Sequence, residues 1–270
     1  MTSRPLSLAA LTVLELSPPD MVSCAADAGY THVGLRLLPA TDTEKSWPMV
    51  GDTPLVREVK RRLADTGIAV LDIEIFRLKP DTRVTDYAAA LETGARLGAR
   101  HVLVAGNDPD EVRLTERFAA ICELGATLGL TMDLEAMPWT DVKTLQQSAR
   151  VVANANKDNG GVLIDPIHFD RGGNVATDIA AVPRHRLHYA QLCDAPAERP
   201  QDTETLLFQA RAERLMPGDG GLDLRGMLQA LPAALPLGLE VPMQSLAKTV
   251  TAVERARRMR KKAELLLAAL

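Results

Sequence analysis

Residues 130–136 read LTMDLEA, 161–169 read GVLIDPIHF, 187–194 read LHYAQLCD and 235–242 read LPLGLEVP. Each is a short apolar run that ends on or near an oxygen donor: Glu135, Asp165, Gln191 and Glu240. Apolar runs of this length fit strands buried on both faces of a parallel sheet. A carboxylate at the end of such a strand leaves water at a cost unless something offsets its charge. Four such positions in consecutive units predict one shared pocket at the carboxyl ends of the strands, the place where barrel enzymes carry their active sites.

Working outward, the chain alternates β-like runs with helical stretches. Strands are expected at 7–11, 31–36, 68–75, 100–104, 130–135, 161–165, 187–192 and 236–240. The helices between them show their own punctuation. In TPLVREVKRRLADTG, Thr53 is the expected cap, Pro54 the first helical residue and Gly67 the stop. Similar segments are PPDMVSCAADAGY, VTDYAAALETGARLGA, EVRLTERFAAICELGATLG, DVKTLQQSARVVANANKDNG, DLRGMLQALP and the amphipathic tail SLAKTVTAVERARRMRKKAELLLAAL. Eight strand–helix units over 270 residues match a single (β/α)8 barrel domain, 1–270. No G-x-G-x-x-G follows the first strand, which argues against a dinucleotide-binding open sheet. The loop around Pro200–Thr203 is expected at the surface.

Composition narrows the function. Hydrophobic residues make up 46%, enough for a sizeable core, and the net charge of -4 gives no bulk attraction to nucleic acid or an anionic membrane. The basic run Arg255, Arg257, Arg258, Arg260, Lys261 and Lys262 reads as the solvent face of the last helix. Cys24, Cys122 and Cys193 are odd in number and form no C-x-x-C, as in a reduced, cytoplasmic protein. Glu15 interrupts the apolar start MTSRPLSLAALTVLEL, which weighs against a signal peptide, and no run reaches the ~18 apolar residues of a membrane span.

Glu135, Asp165 and Glu240 would repel one another in a dry pocket, and a divalent cation removes that repulsion. With Gln191 the donor set is all oxygen. This favours Mn2+ or Mg2+, with Co2+ tolerated and Zn2+ ranked lower unless His168 reaches the ion. His168, three residues after Asp165, is placed to donate a hydrogen bond to a substrate oxygen or to move a proton. His32, His101, His185 and His188 are read as structural. Arg36, Arg77, Arg171 and Arg214 are expected on the same face, where guanidinium forks suit a carboxylate or phosphate. Glu74 is expected to orient an arginine or bind a hydroxyl, Trp139 to wall the pocket, and Trp47 to belong to a lid.

With LEAMPW, the Asp-x-x-His of IDPIHFDRGG, YAQLCDAP, PGDGGLDLRGMLQAL and the closing GLEV, the chain resembles the xylose-isomerase-like barrel superfamily of sugar phosphate isomerases and epimerases. The resemblance implies carboxylate ligands at Glu135, Asp165 and Glu240, and His168 near substrate oxygens. Gln191 stands where many members have a ligating histidine. The superfamily includes ketose 3-epimerases, aldose–ketose isomerases, inosose and dehydroshikimate dehydratases, and endonuclease-IV-like repair enzymes. Five histidines and a negative net charge do not suit the last of these. The resemblance implies a metal-dependent isomerase or epimerase acting on a small hydroxy-carbonyl sugar or sugar acid. Glu135 or Glu240 would remove the proton, giving an enediolate held by the cation and His168. Loss of a β-hydroxyl from the same species would instead make the protein a dehydratase or lyase of a hydroxy-keto acid, and a barrel kept only for binding is the non-enzymatic alternative. A homodimer is compatible with this class.

Overall fold

A computed structural model of the chain describes residues 4–270. Its order is β1 Leu6–Leu8, α1 Pro18–Asp27, β2 His32–Arg36, α2 Pro54–Thr66, β3 Ala69–Leu78, α3 Ala88–Arg96, β4 His101–Gly106, α4 Glu111–Ala126, β5 Thr131–Glu135, α5 Leu145–Ala155, β6 Gly160–Leu163, α6 Pro166–Arg171, β7 Ala190–Leu192, α7 Thr203–Ala212, α8 Leu224–Ala230, β8 Leu237–Leu239, α9 Gln244–Ala247 and α10 Ala252–Ala268. The eight strands lie parallel in the order β6-β5-β4-β3-β2-β1-β8-β7. A parallel bridge from Ile164 to Ala190, with the Gln191 amide donating to the Ile164 carbonyl at 2.9 Å, joins the two ends. The result is the expected (β/α)8 barrel.

Alternation along the strands builds two cores. On β4, Val102 and Val104 face outward to the helices, whereas Leu103 and Ala105 face inward. Leu71, Ile75, Met137, Leu163 and Tyr189 complete the inner cluster. The same period of two puts Asp133 and Glu135 on one face of β5, opposite to Met132 and Leu134. Register then levels the strand ends: Glu135 lies beside Ala105 and Leu163, and Arg36 beside Glu74.

Helix starts follow local chemistry. The Thr53 hydroxyl accepts from the Val56 amide, Pro54 opens α2, and Gly67 ends it at φ 71°. Some boundaries differ from the sequence expectation. The first strand is shorter than 7–11, because residues 10–13 turn into a 3-10 helix. Residues 1–3, the start of the apolar N-terminal stretch, lie outside the described residues. Helices α6 and α7 were not expected. The first is only six residues long, and the second has a weakly apolar face that leaves Phe208 exposed. Among the described residues, no helix is long and apolar enough to cross a membrane.

Candidate active site at the carboxyl ends of the strands

Glu135 ends β5, and Asp165 follows β6 as the cap of α6, accepting the Ile167 amide at 3.0 Å. This cap turns the chain so that His168, within the first turn of α6, faces back toward both acids. Its Nε2 is 3.9 Å from Glu135 Oε1 and 3.9 Å from Asp165 Oδ2. Glu135, Asp165 and His168 each offer a ligand atom within 4.8 Å of the others, and all three are buried.

Gln191 and Glu240 join this group through hydrogen bonds. The Gln191 amide nitrogen donates to Glu240 Oε1 at 3.0 Å, and its amide oxygen is buried without a partner. Arg214 is the central cation. It reaches Asp165 Oδ2 at 2.6 Å, Glu240 Oε2 at 2.8 Å and the Glu240 carbonyl at 3.0 Å, and its Nε donates to the Ala210 carbonyl at 2.7 Å. It also donates to His168 Nε2 at 3.4 Å, which assigns the imidazole proton to Nδ1. That Nδ1, Glu135 Oε1 and Gln191 Oε1 are buried without partners. Orphaned polar atoms are rare in packed interiors, and these three lie together in one group of buried acids.

The electrostatics follow from this packing. Burial, with Asp165 and Glu240 nearby, pushes the Glu135 carboxyl well above its ordinary range. Burial also raises Glu240, to about 8, with Arg214 opposing and Glu74 and Asp165 adding to the rise. Burial works in the same direction on Asp165, but Arg214 and His168 outweigh it and hold that carboxyl low. His168 is pushed down to about 4 by burial, with Arg214 and Arg211 adding to the effect against Asp165. At neutral pH it is an uncharged imidazole.

Above these groups opens a cavity of about 340 Å³, walled by Leu103, Met137 and Trp139 and reached by Glu74, Arg36, Arg77 and Arg211. Trp139 meets His168 edge to face at 4.9 Å. A larger groove of about 840 Å³ opens at the amino-terminal face, but its lining is mostly apolar around Arg4 and Arg260, far from the acids. Chemistry, not size, identifies the site.

The sequence-selected residues divide accordingly. Glu135, Asp165, His168, Gln191, Glu240, Glu74, Arg36, Arg77, Trp139 and Arg214 come together. Arg214 is already engaged by two of the acids, so it is not free to receive a substrate anion. Arg171 does not reach the cavity. It lies on α6 and is held by Asp170, by Gln209 of α7 and by the carbonyls of Pro196 and Glu198, where it ties the β7–α7 loop down. Trp47 packs partly buried beside Lys45, whose ammonium sits 3.9 Å over its ring. His188 lies deeper in the barrel, 2.7 Å from Asp133, and His101 bonds Thr131 at 2.8 Å. Arg211, on the unanticipated α7, and Glu44, which pairs with Arg36 at 2.8 Å, were not selected from sequence. Neither stands beside a strand end, so the sequence carried no positional signal for them.

Residues 22–268 match the family described as Xylose isomerase-like TIM barrel. The chain belongs to this family. Among its relatives is a 3-dehydroshikimate dehydratase of Pseudomonas aeruginosa (strain PAO1), 30% identical over 201 residues, covering 68% of this chain and 31% of that protein. The chain therefore spans about a third of the length of that relative. An inosose isomerase of Bacillus subtilis (strain 168) is 22% identical over 160 residues, 55% of each chain. Two solved structures share the xylose isomerase-like fold. A fusion of such a barrel with 4-hydroxyphenylpyruvate dioxygenase superposes with a TM-score of 0.81 at 23% identity, covering 98% of this chain and 43% of that one. The IolI protein with a bound zinc atom gives 0.79 at 18% identity, covering 98% of each.

Proposed function

We propose that this protein is a divalent-metal-dependent enzyme that takes a proton from the carbon beside a carbonyl of a polyhydroxylated small molecule and expels a neighbouring hydroxyl as water. The donor set fits a cation. Three buried carboxylates, Glu135, Asp165 and Glu240, face one guanidinium, and Glu135 Oε1 and Gln191 Oε1 have no other partner. Glu135, Asp165, Gln191 and Glu240 would hold the ion, all through oxygen. When bound, it supplies Lewis acidity toward a substrate carbonyl and its neighbouring hydroxyl.

The observation that carries this reading is the unequal state of the two glutamates, which leaves one free base and no second free acid to return the proton to another carbon. Both oxygens of Glu240 are engaged, one by Arg214 and one by Gln191, whereas neither side-chain oxygen of Glu135 has a hydrogen-bond partner among the described residues, which leaves Oε1 for the ion and the other for a substrate proton. Glu135 is therefore the base. Its oxygen accepts the proton as the C–H bond breaks, and the electron pair forms a new C=C bond as the adjacent C–O bond breaks. Returning that proton to the departing hydroxyl gives water and restores the carboxylate. His168 Nδ1–H holds a substrate oxygen by hydrogen bonding, and Arg214 fixes the tautomer that makes this possible. Trp139 and Met137 limit access of water to this end of the cavity.

A second reading, isomerisation or epimerisation, is favoured by the position of Glu240. Its raised carboxyl, at about 8, is able to deliver a proton to another carbon or face if Gln191 releases it. The two relatives named above, a dehydratase and an isomerase, represent these two outcomes.

The test is proton NMR in D2O with metal-loaded protein and a panel of polyhydroxylated ketones and keto acids. Water loss with a new vinylic signal supports the lyase reading. Deuterium exchange without water loss selects the isomerase. Absence of both across the panel points to a binding barrel instead. Glu135→Gln should reduce either reaction by about 10^2–10^4-fold while the protein remains folded by circular dichroism.

A further inference from the structure

The cavity is electrically divided. At its floor, Glu135, Asp165 and Glu240 stand against Arg214, which when all three acids are ionised is an excess of two negative charges that a divalent ion would neutralise. At its mouth, Arg36, Arg77 and Arg211 stand against Glu44 and Glu74, an excess of one positive charge. Arg36 is not the source of that excess, because it is clamped by Glu74 at 2.9 Å and by Glu44 at 2.8 Å. Arg77 is half-buried, and its partners are neutral oxygens: Ala40 O at 3.2 Å and Asn107 Oδ1 at 3.0 Å. Among the described residues it has no carboxylate partner, and one of its terminal nitrogens is open. Arg211 comes from the other side of the mouth, on α7. It is exposed, and among the described residues it makes no ion pair or side-chain hydrogen bond. It sits 5.4 Å over the Trp139 ring, which in turn abuts His168. Burial and the neighbouring Arg211 and Arg36 lower the pKa of Arg77, the mark of a cation lacking its counter-charge.

We infer that Arg77 and Arg211 form a subsite for a single carboxylate, so that the substrate is a monoanionic hydroxy-carbonyl acid with its acid group at the mouth and its reacting carbons over Glu135. The inference rests on the proposed function only for where the reacting carbons lie. One excess positive charge suits a monoanion better than a phosphate dianion, and a planar carboxylate can accept from the open nitrogens of both guanidinium groups. Arg211 lies on Trp139, which keeps it above the ring of any ligand seated against that wall.

Three compounds that differ only at one substituent test this: D-galacturonate, D-galactose and D-galactose 6-phosphate, titrated by calorimetry into metal-loaded protein. Galacturonate should bind about tenfold more tightly than galactose, the effect of one charge-assisted contact pair in a partly solvated site. It should also exceed the phosphate. Arg211→Met, which removes no ion pair or side-chain hydrogen bond within the protein, should cut that preference to about twofold, and Arg77→Met should cut it similarly. Arg77 also steadies the loop at Ala40, so Arg211→Met gives the cleaner reading. Equal binding of acid and neutral sugar, a preference untouched in both variants, tighter binding of the phosphate, or no galacturonate binding up to about 20 mM would each overturn the subsite. Titration with Mn2+ alone separates this result from the metal reading. Metal binding without acid preference removes only the subsite. Acid preference without metal binding removes the proposed reaction and leaves the subsite standing.

Discussion

Arg214 shows how one residue can set the state of a site. It is buried and neutralises one of three acids, while its contacts with Asp165 and Glu240 also position His168. Arg214→Met should destabilise the metal-free protein by about 3–5 kcal/mol, because it leaves buried charges unpaired. Saturating Mn2+ should recover part of that loss. Thermal melts with and without metal check it. The titrating groups make a second prediction. Glu240 is raised from 4.5 to about 8, so between those values the folded protein binds the extra proton and stability falls as pH rises. His168 is lowered from 6.5 to about 4, so the unfolded chain binds the extra proton in that window and stability rises with pH. The two oppose each other below 6.5, and above it the raised carboxyls remain, Glu240 together with Glu135 and Asp72. Metal-free protein should therefore lose at least about 1–2 kcal/mol between pH 6.5 and 8, and Glu240→Gln should reduce the loss by about that amount in denaturant titrations. The acids were legible in sequence because each closes an apolar run, a contradiction that only a site resolves. Their pairing with Arg214 was not, because that arginine is 49 residues from Asp165 and 26 from Glu240, and no local pattern records the contact.

At the scale of elements, the loop between α7 and α8 carries the site. It contains Arg214 and PGDGG, and Asp194 anchors it by accepting the amides of Gly218, Gly220 and Leu222 at 2.9–3.1 Å, together with that of its own neighbour Ala195 at 2.8 Å. Gly220 fits because a Cβ there would lie 2.3 Å from the Ala195 carbonyl oxygen. Asp194→Ala should cost about 2–4 kcal/mol, since it strips four amides of their acceptor. It should also make the Arg214 segment exchange amide protons faster, which hydrogen exchange would reveal. Most strands and helices followed from alternation and from caps such as Thr53 and Gly67. Helices α6 and α7 are not legible in the sequence, for physical reasons. One is a six-residue turn capped by Asp165, and the other buries only the small Ala210 and Ala212, so it shows no apolar stripe. Missing α7 also meant missing Arg211. Missing α6 placed Arg171 on a loop facing the pocket, whereas the helix directs it toward Gln209.

At the scale of the molecule, a closed parallel barrel brings residues from positions 36 to 240 to one mouth, and eight apolar runs with helices between them were sufficient to read that architecture. What surrounds the strand ends determines the reaction, and this depends on loops whose geometry follows from tertiary contacts. The central claim is that Glu135, Asp165, Gln191 and Glu240 hold one divalent ion. Diffraction from crystals soaked in Mn2+, recorded at the manganese absorption edge, tests it directly. The account predicts one anomalous peak per chain about 2.0–2.2 Å from oxygens of these four residues, with His168 free to meet a substrate. No peak at the strand ends, with Arg214 still bridging Asp165 and Glu240 at saturating metal, would contradict it.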